Sequence, residues 1–507
     1  MPGQARGECE LGVLDHLVVV LPGLGGTVLA VPDRRGRPGG EVVWGTVAED
    51  LDLLREPERL STGRHPRLAP AGLVATTRAF GLWTVVPGYD RLLARLGKRT
   101  GAVVDDGSAP EPDLDAGIVA VGYDFRLGVA DAARTLDAQL RPRLEHLWPD
   151  EEDREARVVI VAHSMGGLVA RYWAAVLGGA RWCRGIITLG TPHRGAPKAL
   201  AVLTRGLPVG PFHITRPLKV VRDWQGMADL LPRYPAVHDT SAAEGVHPPE
   251  GGPAPDHARL LRPHELPLPW LRGPAERAHR MHQEIEQGWR RLPVAPAVMP
   301  RIGFGHATLR ACSFDGREVT VTKAVPTGPD LRGWADGLGD GTVPAFCGLP
   351  VEMDNYPRTH LHVHRRHGPI AELRETAELL DAFRGFAALS AYRDRQESPV
   401  VLGMDLDELQ LRDRPVDIAV TPCTRAGERV DAAHATVWAS AEPAPDNPQR
   451  PWPRIDVRLE WDAGQRAFHG RLPGLPPGLM KVSAVAPDLT DSAAVQTVQV
   501  LDDTGLE

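Results

Sequence analysis

The segment Val158-Val159-Ile160-Val161-Ala162-His163-Ser164-Met165-Gly166-Gly167 constrains this chain more than any other. Four aliphatic residues read as a buried strand, and an apolar helical pattern follows over residues 168–177. A backbone that turns from strand to helix in so few residues holds Ser164 on a strained turn with its hydroxyl above the strand end. Positions 162 and 166 are small because larger side chains would collide there. The helix N-terminus favours negative charge beside that hydroxyl. An ordinary turn serine needs no such strand, turn and helix around it.

Around this elbow the first half of the chain alternates apolar runs with helical patterns. Residues 17–21, 118–121, 158–161 and 186–189 read as strands, and residues 89–96, 130–147 and 168–177 as helices. Runs that are apolar throughout are buried on both faces, which implies a mostly parallel, doubly wound sheet. Residues 195–300 break the rhythm with Pro, Gly, His and Arg. They read as a cap inserted over the site, with some helix and a poorly ordered part near residues 242–262, because a structureless loop of that length is foreign to a compact domain. Its scattered apolar residues, among them Phe212, Ile214, Trp224, Met227 and Leu230, suit a cover for an acyl chain. Residues 307–325 suit a hairpin about Asp315-Gly316, and residues 372–389 a helix. Beyond residue 400, alternating runs at 416–420, 435–439, 455–459, 480–486 and 495–500 are separated by turns, the pattern of a small immunoglobulin-like β-sandwich. The expected division is a catalytic domain over residues 1–395 and a sandwich over 400–507. The polar stretch 393–399 between them ends in Pro, so the sandwich reads as a separate module, dispensable for chemistry.

A serine hydroxyl is a weak nucleophile and needs a base. In a strand-to-helix elbow of this kind the acid and then the histidine follow the serine along the chain. Asp340 lies in Gly337-Leu338-Gly339-Asp340-Gly341-Thr342-Val343-Pro344, where glycines allow a tight turn, with Asp330 and Asp336 as rivals. Four histidines crowd together at His360, His362, His364 and His367. His367 is favoured because it stands in a turn directly before a helix, with His364 next. The alternate spacing also raises a metal reading, but no Cys or carboxylate joins the cluster at ligand spacing, so neither metal nor cofactor is expected. The oxyanion of acyl transfer needs two backbone N–H donors, expected from Met165 and from Leu24 in Pro22-Gly23-Leu24-Gly25-Gly26. That glycine-rich turn lacks the lysine and following Ser/Thr of a phosphate loop.

With these residues the chain resembles the lecithin:cholesterol acyltransferase family, including its lysosomal-phospholipase-like members and bacterial esterase and lipase relatives. The likeness rests on residues 21–27, Tyr123-Asp124-Phe125-Arg126, residues 162–167, Gly190-Thr191-Pro192-His193-Arg194-Gly195-Ala196-Pro197 and residues 339–344. It implies an α/β-hydrolase fold, a triad of Ser164, Asp340 and His367, and an oxyanion hole at Leu24 and Met165. It stops short of the C-terminal sandwich. Phe125 stands where the family has Trp, and no cysteine lies between Cys9 and Cys183 to close the lid of the secreted animal members.

The expected activity is serine-dependent hydrolysis of lipid or other carboxylic esters, or transfer of the acyl group to an alcohol. The two share a first half-reaction and differ in whether water or an alcohol resolves the acyl-enzyme. Other classes are an interaction protein that docks a partner through the sandwich, and an amidase or peptidase using the same triad. A net charge of -7 gives no basic footprint for nucleic acid. Five cysteines in no metal-binding spacing suit free thiols in a reducing compartment. Residues 1–14 hold acidic residues and no apolar core of signal length, and no run is long enough to span a bilayer, so a cytoplasmic enzyme is expected.

Overall fold

The computed structural model describes residues 16–45, 56–75, 88–209, 212–241, 259–322, 338–353, 362–384, 400–424, 429–444, 452–490 and 493–502. Cys9, Asp330, Asp336, His360, residues 242–258 of the insertion and the polar stretch 393–399 lie outside the described residues.

Seven parallel strands form the central sheet, in the order His362–Val363, Ala297–Gly303, Cys183–Leu189, Val158–His163, Leu17–Leu21, Ile118–Ala120 and Val104–Asp105. Alternate residues of Leu17–Leu21 enter two different cores. Leu17, Val19 and Leu21 join the larger one, while Val18 and Val20 pack with Leu92, Leu96 and Leu379 on the other face. Burial on both faces is why the strand is apolar at every position. Chain order reverses beside Leu17–Leu21, so the crevice at the carboxyl ends opens between residues 22–26 and the elbow. This is an α/β-hydrolase sheet.

The segment read as a cap divides into two parts. Its second half belongs to the sheet layer. The helix Pro269–Arg291 buries Leu271, Ala275, Ala278, Met281, Ile285 and Trp289, and it leads to the strand Ala297–Gly303. Pro269 and Pro274 disguised the helix, yet Pro269 sits at its first position, where no N–H is needed. In the first half, Trp224, Met227 and Leu230 are buried in the main core rather than lining an open cover. Trp224 stacks edge-on against Phe125, with ring centres 5.7 Å apart, and its indole N–H donates to the Leu60 carbonyl at 3.0 Å. The expected hairpin is present as Ala311–Phe314 paired with Val319–Thr322.

The C-terminal region is two antiparallel-rich sheets. One contains Val400–Asp405, Val416–Thr424, Ala467–Leu472 and Glu460–Asp462; the other contains Leu409–Leu411, Ala494–Leu501, Gly478–Val485, Trp438–Pro443 and Ile455–Arg458. They enclose their own core around Leu402, Val420, Phe468, Met480 and Val482. The region is also packed on the hydrolase. Leu409, Leu411, Leu479 and Leu501 join the main core, and Val401 and Cys423 pack with Ile302, Phe304, Leu338 and Leu349. The sandwich thus has a core of its own and a second packing surface shared with the hydrolase. Val400–Asp405 escaped notice because Val401, Leu402, Gly403 and Met404 are all buried, one face in the sandwich and the other against the hydrolase, so the strand does not alternate.

Candidate active site

Ser164 has φ 51° and ψ -122°, a conformation rare outside glycine, directly before the helix Met165–Val176. The crowding expected at 166 is present: a Cβ built on Gly166 would lie 2.6 Å from the Pro22 carbonyl oxygen. Residues 22–26 approach just as closely from the other side, since a Cβ on Gly23 would lie 2.9 Å from that of Ser164. Such strain of about 1–3 kcal/mol persists only where the surroundings enforce it.

Three of the residues singled out from sequence meet here. His367 Nε2 is 2.9 Å from Ser164 Oγ, and His367 Nδ1 is 2.7 Å from Asp340 Oδ2. The other carboxylate oxygen, Asp340 Oδ1, accepts from the Thr342 N–H at 2.9 Å and the Val343 N–H at 2.6 Å. The His367 N–H donates to the Asp340 carbonyl at 3.0 Å, so acid and base are joined through main chain as well as side chain. Ser164, Asp340 and His367 are all buried.

Met165 follows the serine directly, and Leu24 is the buried residue after Gly23, which closely approaches Ser164. Met165 opens its helix, so its N–H has no intrahelical acceptor. The neighbouring Gly23 N–H is already taken by the Tyr89 hydroxyl at 2.8 Å. His364 lies away from the serine, its ring stacked on His306 at 4.9 Å, and His362 packs on Phe304 at 5.2 Å. Among the described residues no group of three or more His, Cys, Asp or Glu side chains could hold a metal ion.

Sequence reasoning missed a second ring behind the site. His163 Nε2 is 2.9 Å from the His367 carbonyl oxygen, which fixes that nitrogen as the donor. His163 Nδ1 is then an acceptor, 2.8 Å from the Tyr89 hydroxyl, which donates to it and accepts from Gly23. A chain of hydrogen bonds thus runs from the glycine-rich loop to the base loop. Its only local signal is that His163 belongs to the elbow; Tyr89 is distant in sequence. The Tyr-Asp-Phe-Arg run is architectural. Asp124 and Arg126 form a buried ion pair at 2.7 Å, and Phe125 wedges between Trp44 and Trp224.

Burial, with His367 nearby, pushes the His163 pKa down to about 3, so the ring stays neutral. Burial likewise lowers His282 to about 3, His364 to about 4, and His193 and His306 well below the usual range. Unfolded, these rings take up protons near pH 6.5. The unfolded state therefore binds more protons as pH falls, and each ring removes up to about 1.4 kcal/mol of stability per pH unit below that point. Asp229 and Asp407, raised by burial to about 6, act in the opposite sense, but only from about pH 6 downward and in smaller number. The thermal midpoint is expected to drop between pH 7 and pH 5; a flat profile over that range would contradict the neutral, buried rings.

Residues 113–224 match the family model described as lecithin:cholesterol acyltransferase. That window holds the Tyr-Asp-Phe-Arg run, the elbow and the Gly190–Pro197 run. Over this window the chain is similar to the lecithin:cholesterol acyltransferase family, and its sheet is that of an α/β-hydrolase. The match supports acyl-ester hydrolase or acyltransferase chemistry. No curated protein matches the sequence significantly. Among solved structures, the chain is similar to one from a Tle4–Tli4 complex, at 14% identity and TM-score 0.41, over 73% of this chain and 98% of that one. It is similar to the Bacillus licheniformis lipase BlEst2 in its propeptide form, at 11% identity and TM-score 0.27, over 95% of this chain and 73% of that one. The mature form of that lipase gives 13% identity and TM-score 0.20, over 39% of this chain and 49% of that one. Likenesses so distant carry no weight for function, and the fold assignment stands on the sheet order. Among the described residues no helix is long and apolar enough to cross a membrane.

Proposed function

We propose that this lecithin:cholesterol acyltransferase-like protein is a serine-dependent acyl-ester hydrolase or O-acyltransferase, acting on lipid or other carboxylic esters through an acyl-Ser164 intermediate. The observation that carries the reading is the unbroken relay from Ser164 Oγ to His367 Nε2 at 2.9 Å and from His367 Nδ1 to Asp340 Oδ2 at 2.7 Å. Asp340 accepts a hydrogen bond from His367 Nδ1–H, which holds the proton on Nδ1 and turns the lone pair of Nε2 to the hydroxyl. His367 takes the Ser164 proton as Oγ attacks the ester carbonyl, and the N–H groups of Leu24 and Met165 receive the resulting oxyanion. The proton passes to the departing alkoxide. Water or an alcohol then attacks the acyl-serine, giving its proton to Nε2, and Ser164 leaves with that proton.

A scaffold without catalysis has no use for this arrangement. Burying a carboxylate against an imidazole costs free energy unless both are fully paired, and strained backbone at the serine adds to the cost. The testing experiment is reaction with a fluorophosphonate followed by peptide mapping. One phosphonyl group per chain, on Ser164, is expected. Failure to label folded protein, or labelling spread over surface serines, would sink the reading.

A further inference from the structure

We propose that Gly403 and Met404 of the β-sandwich are positioning residues for the acid and base, which makes the sandwich part of the catalytic unit; this rests on the roles proposed above for Asp340 and His367. The two loops that carry those residues are held from outside the hydrolase by one stretch of main chain. The Met404 N–H donates to His306 Nδ1 at 3.2 Å. His306 in turn exchanges both main-chain hydrogen bonds with Gly339, each 3.0 Å, immediately before Asp340. The Met404 carbonyl accepts from the guanidinium of Arg366, immediately before His367. A single peptide residue thus grips the acid loop with its donor and the base loop with its acceptor.

The neighbouring contacts leave this grip little slack. A Cβ built on Gly403 would lie 1.6 Å from the Gly305 carbonyl oxygen, so the sandwich strand meets the hydrolase backbone to backbone. Arg366 is buried, and its guanidinium lies against the turn that follows Asp340, since a Cβ on Gly341 would lie 2.9 Å from its Nη1. The same Nη1 is 3.9 Å from Glu408 Oε1, also in the sandwich. A buried guanidinium cannot leave such partners without losing hydrogen bonds that water does not replace. Triad geometry tolerates little error, and displacement of about 1 Å arising far from the chemistry can cost about a hundredfold in rate.

The test uses the full-length chain and measures turnover per folded molecule, with the folded fraction read by gel filtration and near-ultraviolet circular dichroism. For Gly403→Ala and Arg366→Met, kcat is expected to fall about tenfold or more while KM stays within about threefold. Arg366→Lys, which keeps a donor for the Met404 carbonyl, should recover part of that loss. A merely structural role would lower the folded fraction and leave kcat per folded molecule unchanged. Unchanged kcat in either folded variant overturns the proposal. If neither variant folds, the isosteric Glu408→Gln decides: a fall in kcat of about threefold supports the clamp and an unchanged kcat overturns it. Ser164→Ala separates the two readings. Full turnover there removes the catalytic assignment itself, whereas an inactive Ser164→Ala beside a fully active Gly403→Ala removes the clamp alone.

Discussion

Ser164→Ala is expected to lower ester turnover by about 10⁶-fold, to the level left by binding and the oxyanion donors. The substitution removes only Oγ and its 2.9 Å contact with His367 Nε2. The backbone at φ 51° is as strained for alanine as for serine, so that strain is unchanged. The one lost hydrogen bond changes stability by about 1 kcal/mol, too little to unfold the chain. Activity and fold are therefore separable in this variant. Turnover within about tenfold of the parent, from protein free of contaminating esterase, would place the nucleophile elsewhere.

Asp340→Asn is the second large effect, and the structure states which way the new amide must turn. Asp340 Oδ1 receives two main-chain N–H groups, from Thr342 and Val343. An asparagine keeps its carbonyl oxygen there and so points its NH₂ at His367 Nδ1. That nitrogen must then accept, which moves the imidazole proton to Nε2 and leaves no lone pair facing Ser164. A fall in kcat of about 10⁴-fold with little change in KM is expected. His367→Ala should be comparably damaging. If His364→Ala abolishes turnover while His367→Ala spares it, the base has been assigned to the wrong histidine.

What could be read from sequence was what depends on neighbours in sequence. The elbow was legible because strand, small residues, serine and helix are contiguous, and each is there for a local steric reason. Four of the central strands, at residues 17–21, 118–121, 158–161 and 186–189, were legible because burial on both faces leaves almost wholly apolar runs. Asp340 and His367 were legible as turn residues in the right chain order, although sequence alone could not bring them within 2.7 Å of each other. The rest was set by packing between distant segments. Tyr89 and His163 meet across the sheet without any shared pattern. The helix Pro269–Arg291 carries apolar residues at helical spacing, but its two prolines and many arginines masked them. Val400–Asp405 lost its alternation by being buried from both sides, and a polar stretch before it invited a domain boundary. That boundary would have cut away the residues that touch His306 and Arg366.

The position of Met404 in the chain also bears on how the protein is made. Ser164, Asp340 and His367 all precede it, and a growing polypeptide folds its early segments first. Synthesis that has passed residue 367 has supplied every group of the relay but not the peptide that holds its last two members. The hydrolase sheet is then complete while Arg366 still lacks both of its sandwich partners, Met404 and Glu408. If Met404 clamps these loops as proposed, they reach their final register only when the strand Val400–Asp405 has emerged and docked. On that proposal a chain that has grown past residue 367 carries its relay without its clamp, and the strand Val400–Asp405 sets when turnover can begin.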